Sequence, residues 1–178
     1  EVSPDTAFAV GSITKQLTCA AVLLLAEDKK LSVEDHVAKY YPDLTRAKDV
    51  TLYDLLTHQS GYRDYYPLDF VDREMETPVA PDALLRSYAG RTLDFEPHAR
   101  FSYSNTNYVL AGRVAEKVSG ETFEQLLTRR ILKPSGMEHS SFQPRAGAAG
   151  IAVGHTAFLG GEPEAAPREA EGWTYTAA

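Results

Sequence analysis

The longest apolar stretch of the chain runs from Cys19 to Ala26, and apolar residues from Leu17 to Ala26 cover most of a helix circumference. Around it, from Ser12 to about Asp28, helix formers dominate without Gly or Pro, which predicts a helix buried inside a domain. Thr51-Leu-Tyr-Asp54 fits a capping box ahead of Leu55 and Leu56, and Ser60-Gly61 supplies a stop, so residues 51–59 read as a short helix. Pro81-Asp82 opens another through Tyr88. Asn105 to Ser119, with Leu110, Val114 and Val118 recurring and Gly120 behind, predicts a longer amphipathic helix, and Thr122-Phe-Glu-Gln125 caps a third. Strand signals are short: Phe8-Ala9-Val10, Ser141-Phe142 and Ile151-Ala-Val153. The Gly/Ala/Pro/Glu-rich segment 144–170 reads as a long loop or small hairpin, with Trp173 and Tyr175 as late anchors.

Charge narrows the partners. With 18 Lys+Arg against 25 Asp+Glu the net charge is −7, which repels phosphate backbones and offers no polybasic membrane patch, so neither nucleic acid nor an anionic surface is expected. The apolar run is flanked by Lys15 and Gln16 on one side and Glu27-Asp28-Lys29-Lys30 on the other, too short to span a bilayer. Cys19 can form no intrachain disulfide and reads as a small buried hydrophobe. His36, His98, His139 and His155 lack metal-ligand spacing, so neither metal nor cofactor is expected.

Ser12-Ile-Thr-Lys15 falls at the first turn of the buried helix. Positions i and i+3 share a face, so the Lys15 amine can lie beside the Ser12 hydroxyl. An alcohol near neutral pH needs a base, which a lysine supplies if burial and local positive potential keep its amine neutral. The helix start provides that potential, and its free N–H groups suit an oxyanion. Such a Ser/Lys spacing arises roughly once by chance in a chain of this size, and the bland alternative is an N-cap serine with a surface lysine. Burial of an unpartnered lysine in so apolar a helix argues against that alternative. A second cluster, Phe101-Ser-Tyr103-Ser104-Asn105-Thr-Asn107-Tyr108, stands at a loop-to-helix junction. There Tyr103 could relay a proton and Asn105 could bind the Lys15 amine or a substrate carbonyl; equally, Tyr103 could pack and Asn105 or Asn107 could cap the helix.

In combination and order, these segments resemble the serine β-lactamase and penicillin-binding-protein family, within it the class C β-lactamase, D-aminopeptidase and esterase branch. Phe8-Ala-Val-Gly-Ser-Ile-Thr-Lys15, the helix ending in Lys30-Leu-Ser, Val50-Thr-Leu-Tyr-Asp-Leu-Leu-Thr-His-Gln-Ser-Gly61, Phe101-Ser-Tyr-Ser-Asn-Thr-Asn-Tyr108 and Pro134-Ser-Gly-Met137 match its landmarks from about Ala7 to Phe142. The resemblance implies an α/β (α+β) fold of the β-lactamase and D,D-peptidase type. It implies that Ser12 is acylated, Lys15 assists proton removal, Tyr103 acts as general acid/base and Asn105 orients Lys15 and substrate, with the Ser12 N–H on one side of an oxyanion hole. Whether Lys15 or Tyr103 takes the first proton stays open. The substrate is then a small ester, amide or β-lactam, including D-alanyl peptides. The family acts on periplasmic or extracellular substrates and also includes cytoplasmic esterases, so the compartment stays open.

The chain departs from the family in two ways. Gly154-His155-Thr156 comes too soon after Met137 to be the Lys-Thr-Gly or His-x-Gly strand that lines the pocket opposite the tyrosine, so that third motif is expected to be absent. Only eleven residues precede Ser12, and closing strands after Trp173 are not evident, so residues 1–178 read as one partial domain: strand end and nucleophile helix to residue 30, helical subdomain 31–142, loop and short strands 143–178. A complementary chain or further segment would complete the sheet and cover an otherwise exposed apolar helix face. Two other readings remain at this stage: an idle penicillin-binding or sensor domain of the same fold, and a plain helical interaction domain. His58 reads as a structural residue ending the short helix; Tyr62, Tyr65 and Tyr66 read equally as satellite core or cleft rim; Glu27 to Lys30 and Arg129-Arg130 read as solvated helix ends.

Overall fold

A computed structural model describes residues 2–66, 73–142, 150–157 and 161–178. Five α-helices carry the described fold: α1 Thr14–Glu27, α2 Leu52–Leu56, α3 Pro81–Tyr88, α4 Asn105–Ser119 and α5 Phe123–Leu127. A single 3-10 turn, Gly11–Ile13, leads into α1, and a π turn, Thr128–Leu132, continues α5. The chemistry of the helix ends follows from the sequence. Thr51 and Asp54 make a reciprocal capping box at α2, as do Thr122 and Gln125 at α5. Pro81 starts α3, and Gly120, with φ +75°, closes α4 in the left-handed conformation that a Cβ disfavours. The residues 57–59 expected to extend α2 turn away from it, because His58 takes φ +59°.

Helix α4 is the centre of the packing. It buries ten residues, including Val109, Leu110 and Val114, and packs against α1, α2, α3 and α5. Leu25, Leu55, Leu84 and Phe123 reach it from the surrounding helices as fully buried side chains. Tyr62 and Tyr65 also join this core: the Tyr65 ring lies 6.0 Å from that of Trp173, which resolves their two readings in favour of packing. Pro67, which follows Tyr66, lies outside the described residues.

Helix α1 is not buried all round. Thr14, Lys15, Thr18, Ala21, Val22 and Leu25 recur at helical spacing and face α4 and α5, whereas Ile13 and Leu23 on the other flank are 58% and 49% exposed. Exposed apolar side chains, expected of an uncovered nucleophile helix, are therefore present at these two positions. Among the described residues, strands are also sparser than the sequence suggests. Phe8 and Val10 are exposed, and their segment makes a single parallel bridge, Ala7 to Ile151. Phe142 packs instead against Phe123 and Tyr175. The described sheet consists of β1 His155–Thr156 and β2 Glu164–Ala165, an antiparallel pair within the segment read as a loop or small hairpin; residues 143–149 and 158–160 of that region lie outside the described residues. Extended segments need neighbours for their backbone groups, which local sequence does not reveal. Of the helix ends read as solvated, Arg130 pairs with Asp28, whereas Arg129 pairs with Glu121 at 2.6 Å.

The chain end is the least predictable part of the packing. Thr174 to Ala178 is threaded between α1 and α4, where Thr18 donates to the Thr176 carbonyl at 2.8 Å and Thr176 donates to the Tyr108 carbonyl at 2.7 Å. Gly112 permits this approach, since a Cβ there would sit 2.2 Å from the Thr176 Oγ1. Alanine at a helix interior normally gains up to about 1 kcal/mol over glycine, but here the overlap is expected to cost roughly 1–3 kcal/mol. Packing should win, so Gly112→Ala is expected to lower the Tm by a few degrees; an unchanged or raised Tm in a thermal melt would show that the segment yields freely.

Candidate active site

The 3-10 turn Gly11–Ile13 presents Ser12 to solvent, and the first turn of α1 presents Lys15 to the interior, 6% exposed. One turn of helix separates them, and the Lys15 Nζ lies 3.1 Å from the Ser12 Oγ. The same amine donates at 2.7 Å to the Asn105 Oδ1 and at 2.7 Å to the carbonyl of Ala177. Both of those partners are carbonyl oxygens, which only accept. A neutral amine that places its two hydrogens on them therefore has its lone pair directed at Ser12; an ammonium would place its third hydrogen there. The geometry serves both states of a proton acceptor without moving a heavy atom. The rings of Tyr103 and Tyr108 flank the amine, with centroids 4.8 Å and 5.6 Å away.

Tyr103 stands just before α4, 43% exposed, and its hydroxyl lies 2.7 Å from the Ser12 Oγ. The serine oxygen is thus held between an amine and a phenol. The Tyr103 ring is stacked on His58, with centroids 4.5 Å apart and planes 28° from parallel. His58 is buried, and its Nδ1 accepts the Ser104 N–H at 3.1 Å, which fixes a lone pair on that nitrogen. Burial first, and the Lys15 charge second, push the imidazole down to about 4.

That depression carries a stability consequence. The folded chain binds the His58 proton less readily than the unfolded chain, so the contribution is full above the ordinary value of 6.5 and is lost as pH falls from there towards about 4. Stability against thermal unfolding is accordingly expected to fall as pH drops from 6.5 to 4, and His58→Asn, which keeps an acceptor for the Ser104 N–H, should flatten that dependence. Equal slopes for the two proteins in this window would assign the acid sensitivity to other groups.

Asn105 is the first residue of α4. Its backbone N–H donates to the Asp64 Oδ1 at 2.9 Å, and its side-chain Nδ2 lies 3.1 Å from Oδ2 and 3.2 Å from Oδ1 of the same carboxylate. Asp64 also accepts the Tyr66 N–H at 3.1 Å; burial pushes its carboxyl up, opposed by these N–H donors and by the Lys15 charge. Neither asparagine caps the helix through its side chain: Ser104 occupies the N-cap position, and Asn107 turns inward, where its Oδ1 accepts from Ser60 at 2.7 Å.

The structure thus brings together Ser12, Lys15, Tyr103 and Asn105, the four residues singled out in the sequence. Three participants carried no such signal. Asp64 is a lone carboxylate among tyrosines; the Ala177 carbonyl is backbone, invisible to any motif; His58, read as the end of a helix, turns out to support the Tyr103 ring. Cys19 lies half-buried in α1, where burial pushes its thiol up. Gly154-His155-Thr156 lies in the exposed hairpin, where β1 pairs with Glu164–Ala165. Among the described residues, no group of three His, Cys, Asp or Glu side chains is placed to hold a metal ion, and no helix is long and apolar enough to cross a membrane.

Comparison with known proteins agrees with this architecture. The sequence profile of the beta-lactamase family matches residues 1–178. Over 140 residues the chain is 34% identical to PbpX of Bacillus subtilis, which carries a penicillin-binding-protein name, and 29% identical to the teichoic acid D-alanine hydrolase of Staphylococcus aureus. Each alignment covers 79% of this chain and 34% of the relative, so the chain spans about a third of the length of these proteins. The crystal structure of a penicillin-binding protein from Bacillus halodurans superposes with a TM-score of 0.79 at 27% identity, covering 92% of this chain and 52% of the other. The mainly helical architecture with its small two-stranded sheet is thus part of the β-lactamase and penicillin-binding-protein fold, and the chain belongs to the beta-lactamase family, whose members include hydrolases.

Proposed function

We propose that this chain carries the nucleophile half of a serine hydrolase site that works through an acyl-enzyme. One observation carries the reading: the Ser12 Oγ lies 3.1 Å from the Lys15 amine and 2.7 Å from the Tyr103 hydroxyl, two groups able to take and return its proton. In the forward step the Ser12 oxygen attacks the carbonyl carbon of an ester or amide while its proton passes to Lys15, directly or through Tyr103. The carbonyl oxygen becomes an oxyanion, for which the Ser12 N–H is one donor. Collapse expels an alcohol or amine, which takes a proton from Tyr103 while Lys15 returns the serine proton to the Tyr103 oxygen, and leaves the acyl group on Ser12. Water then repeats the sequence in reverse and releases a carboxylic acid. Asn105 holds the Lys15 amine through its Oδ1.

The substrate class is an ester or amide that includes β-lactams and D-alanyl compounds. The name of the Staphylococcus aureus relative, a teichoic acid D-alanine hydrolase, supports D-alanyl esters as the first acyl donors to try. Turnover separates a hydrolase from a sensor that is acylated and stays so. On this reading, D-alanine methyl ester and a penicillin both acylate Ser12, and the D-alanyl enzyme is hydrolysed repeatedly. A single stoichiometric burst with every acyl donor would instead identify a covalent binding domain.

A further inference from the structure

We propose that Asp64 is a positioning residue that sets which way the Asn105 amide faces, and through it where the Lys15 amine is aimed; this rests on the roles given above to Ser12, Lys15 and Asn105. An asparagine side chain offers an oxygen on one side and an NH2 on the other, and only its partners decide which is which. A carboxylate accepts and never donates. With both Asp64 oxygens within 3.2 Å of the Asn105 Nδ2, the NH2 must face Asp64, and the Oδ1 is left facing Lys15, 2.7 Å from its Nζ. Asp64 also holds the backbone of the same residue, through the Asn105 N–H at 2.9 Å, so the first turn of α4 and its side chain are fixed together.

The chain of contacts is therefore Asp64, Asn105, Lys15, Ser12, spanning a loop, the start of α4 and the start of α1. Its logic is one of polarity. The Ala177 carbonyl and the Asn105 Oδ1 together require two amine hydrogens, and the remaining direction of the nitrogen meets Ser12. If the Asn105 amide were reversed, an N–H would point at the amine, and its lone pair would be drawn away from the serine.

Asp64→Asn tests this with little change of shape. Its retained Oδ1 can still accept the Asn105 and Tyr66 N–H groups, which both use that oxygen. Its new NH2 replaces Oδ2, 3.1 Å from another NH2, a donor against a donor that favours reversal of the Asn105 amide. The rate of Ser12 labelling by a fluorophosphonate is expected to fall about 10- to 100-fold, the scale on which small misplacements act. In an Asn105→Ala background the same change should have almost no further effect, because the link is already cut. An equal loss in both backgrounds would show a merely structural role and overturn the proposal, as would wild-type labelling in Asp64→Asn.

A second readout needs no activity. In spectra of protein labelled with 15N-asparagine, the Asn105 side-chain amide protons should exchange slowly with solvent in the wild type and shift and exchange faster in Asp64→Asn. Should that variant fail to fold, Asp64→Ser, which keeps one acceptor for the Asn105 N–H, replaces it in both measurements. A wild type that takes no label would remove the hydrolase reading, while the amide spectra would still decide whether Asp64 orients Asn105; an Asn105 amide unchanged by the substitutions would refute that.

Discussion

Replacing Lys15 by arginine is expected to slow acylation of Ser12 by roughly 10²- to 10⁴-fold, the range over which a positioned base acts. Arginine keeps the positive charge and several donors, but its guanidinium does not give up a proton in a protein. It can hold the Asn105 and Ala177 oxygens and still cannot receive the serine proton. Lys15→Met supplies the complement: similar length, no charge, no base. Rate should fall in both variants, but stability should differ. In Lys15→Met the Asn105 Oδ1 and Ala177 carbonyl lose their donor at a buried site. Each orphaned acceptor costs on the order of 1–3 kcal/mol, partly offset because no amine has to be buried. Initial rates with an activated ester and chemical denaturation of the same preparations give both quantities. Near-wild-type acylation in Lys15→Arg would mean that Lys15 acts by charge alone and that Tyr103 is the base.

Tyr103→Phe should separate the two halves of the reaction. The ring and its stacking on His58 remain, and only the hydroxyl 2.7 Å from Ser12 is lost. A nitrophenolate leaves without a proton, whereas an amine does not. The variant is therefore expected to lose about 10²- to 10⁴-fold on a D-alanyl amide and markedly less on a nitrophenyl ester. Stability should change by about 1 kcal/mol or less, because the side chain is already 43% exposed. Equal losses on both substrates would assign Tyr103 to activation of Ser12 instead of protonation of the leaving group.

How much of this was legible in the sequence depends on how local the determining contacts are. The helix boundaries rest on interactions three or four residues apart: the Thr51 and Thr122 capping boxes, Pro81 at the start of α3, Gly120 after α4. Each could be read from the letters. Ser12 and Lys15 were legible for the same reason, since one helical turn guarantees their proximity. Tyr103 and Asn105 could be singled out, but their meeting with Ser12 and Lys15 across 91 and 90 residues came from the order of the motifs and a family resemblance, not from local pattern. What stayed hidden is non-local and unmarked. The Ala177 carbonyl reaches Lys15 across 162 residues of chain. Asp64 reaches Asn105 across 41. The expected strands failed for a related reason: Phe8 to Val10 has an apolar pattern, but a strand exists only where a neighbour takes its hydrogen bonds, and here the neighbour is a single bridge to Ile151. The helix α1, read as apolar over most of its circumference, has one packed face and one exposed flank, because hydrophobicity records what a segment can bury and not what is there to cover it.

The central claim is that Ser12 is an activated nucleophile, and intact-mass spectrometry after brief exposure to a fluorophosphonate tests it most directly. The account predicts one adduct per chain, mapped by peptide analysis to the segment containing Ser12, absent in Ser12→Ala and strongly slowed in Lys15→Arg. An unmodified wild-type mass under conditions that label a control serine hydrolase, or an adduct that persists in Ser12→Ala, would contradict it.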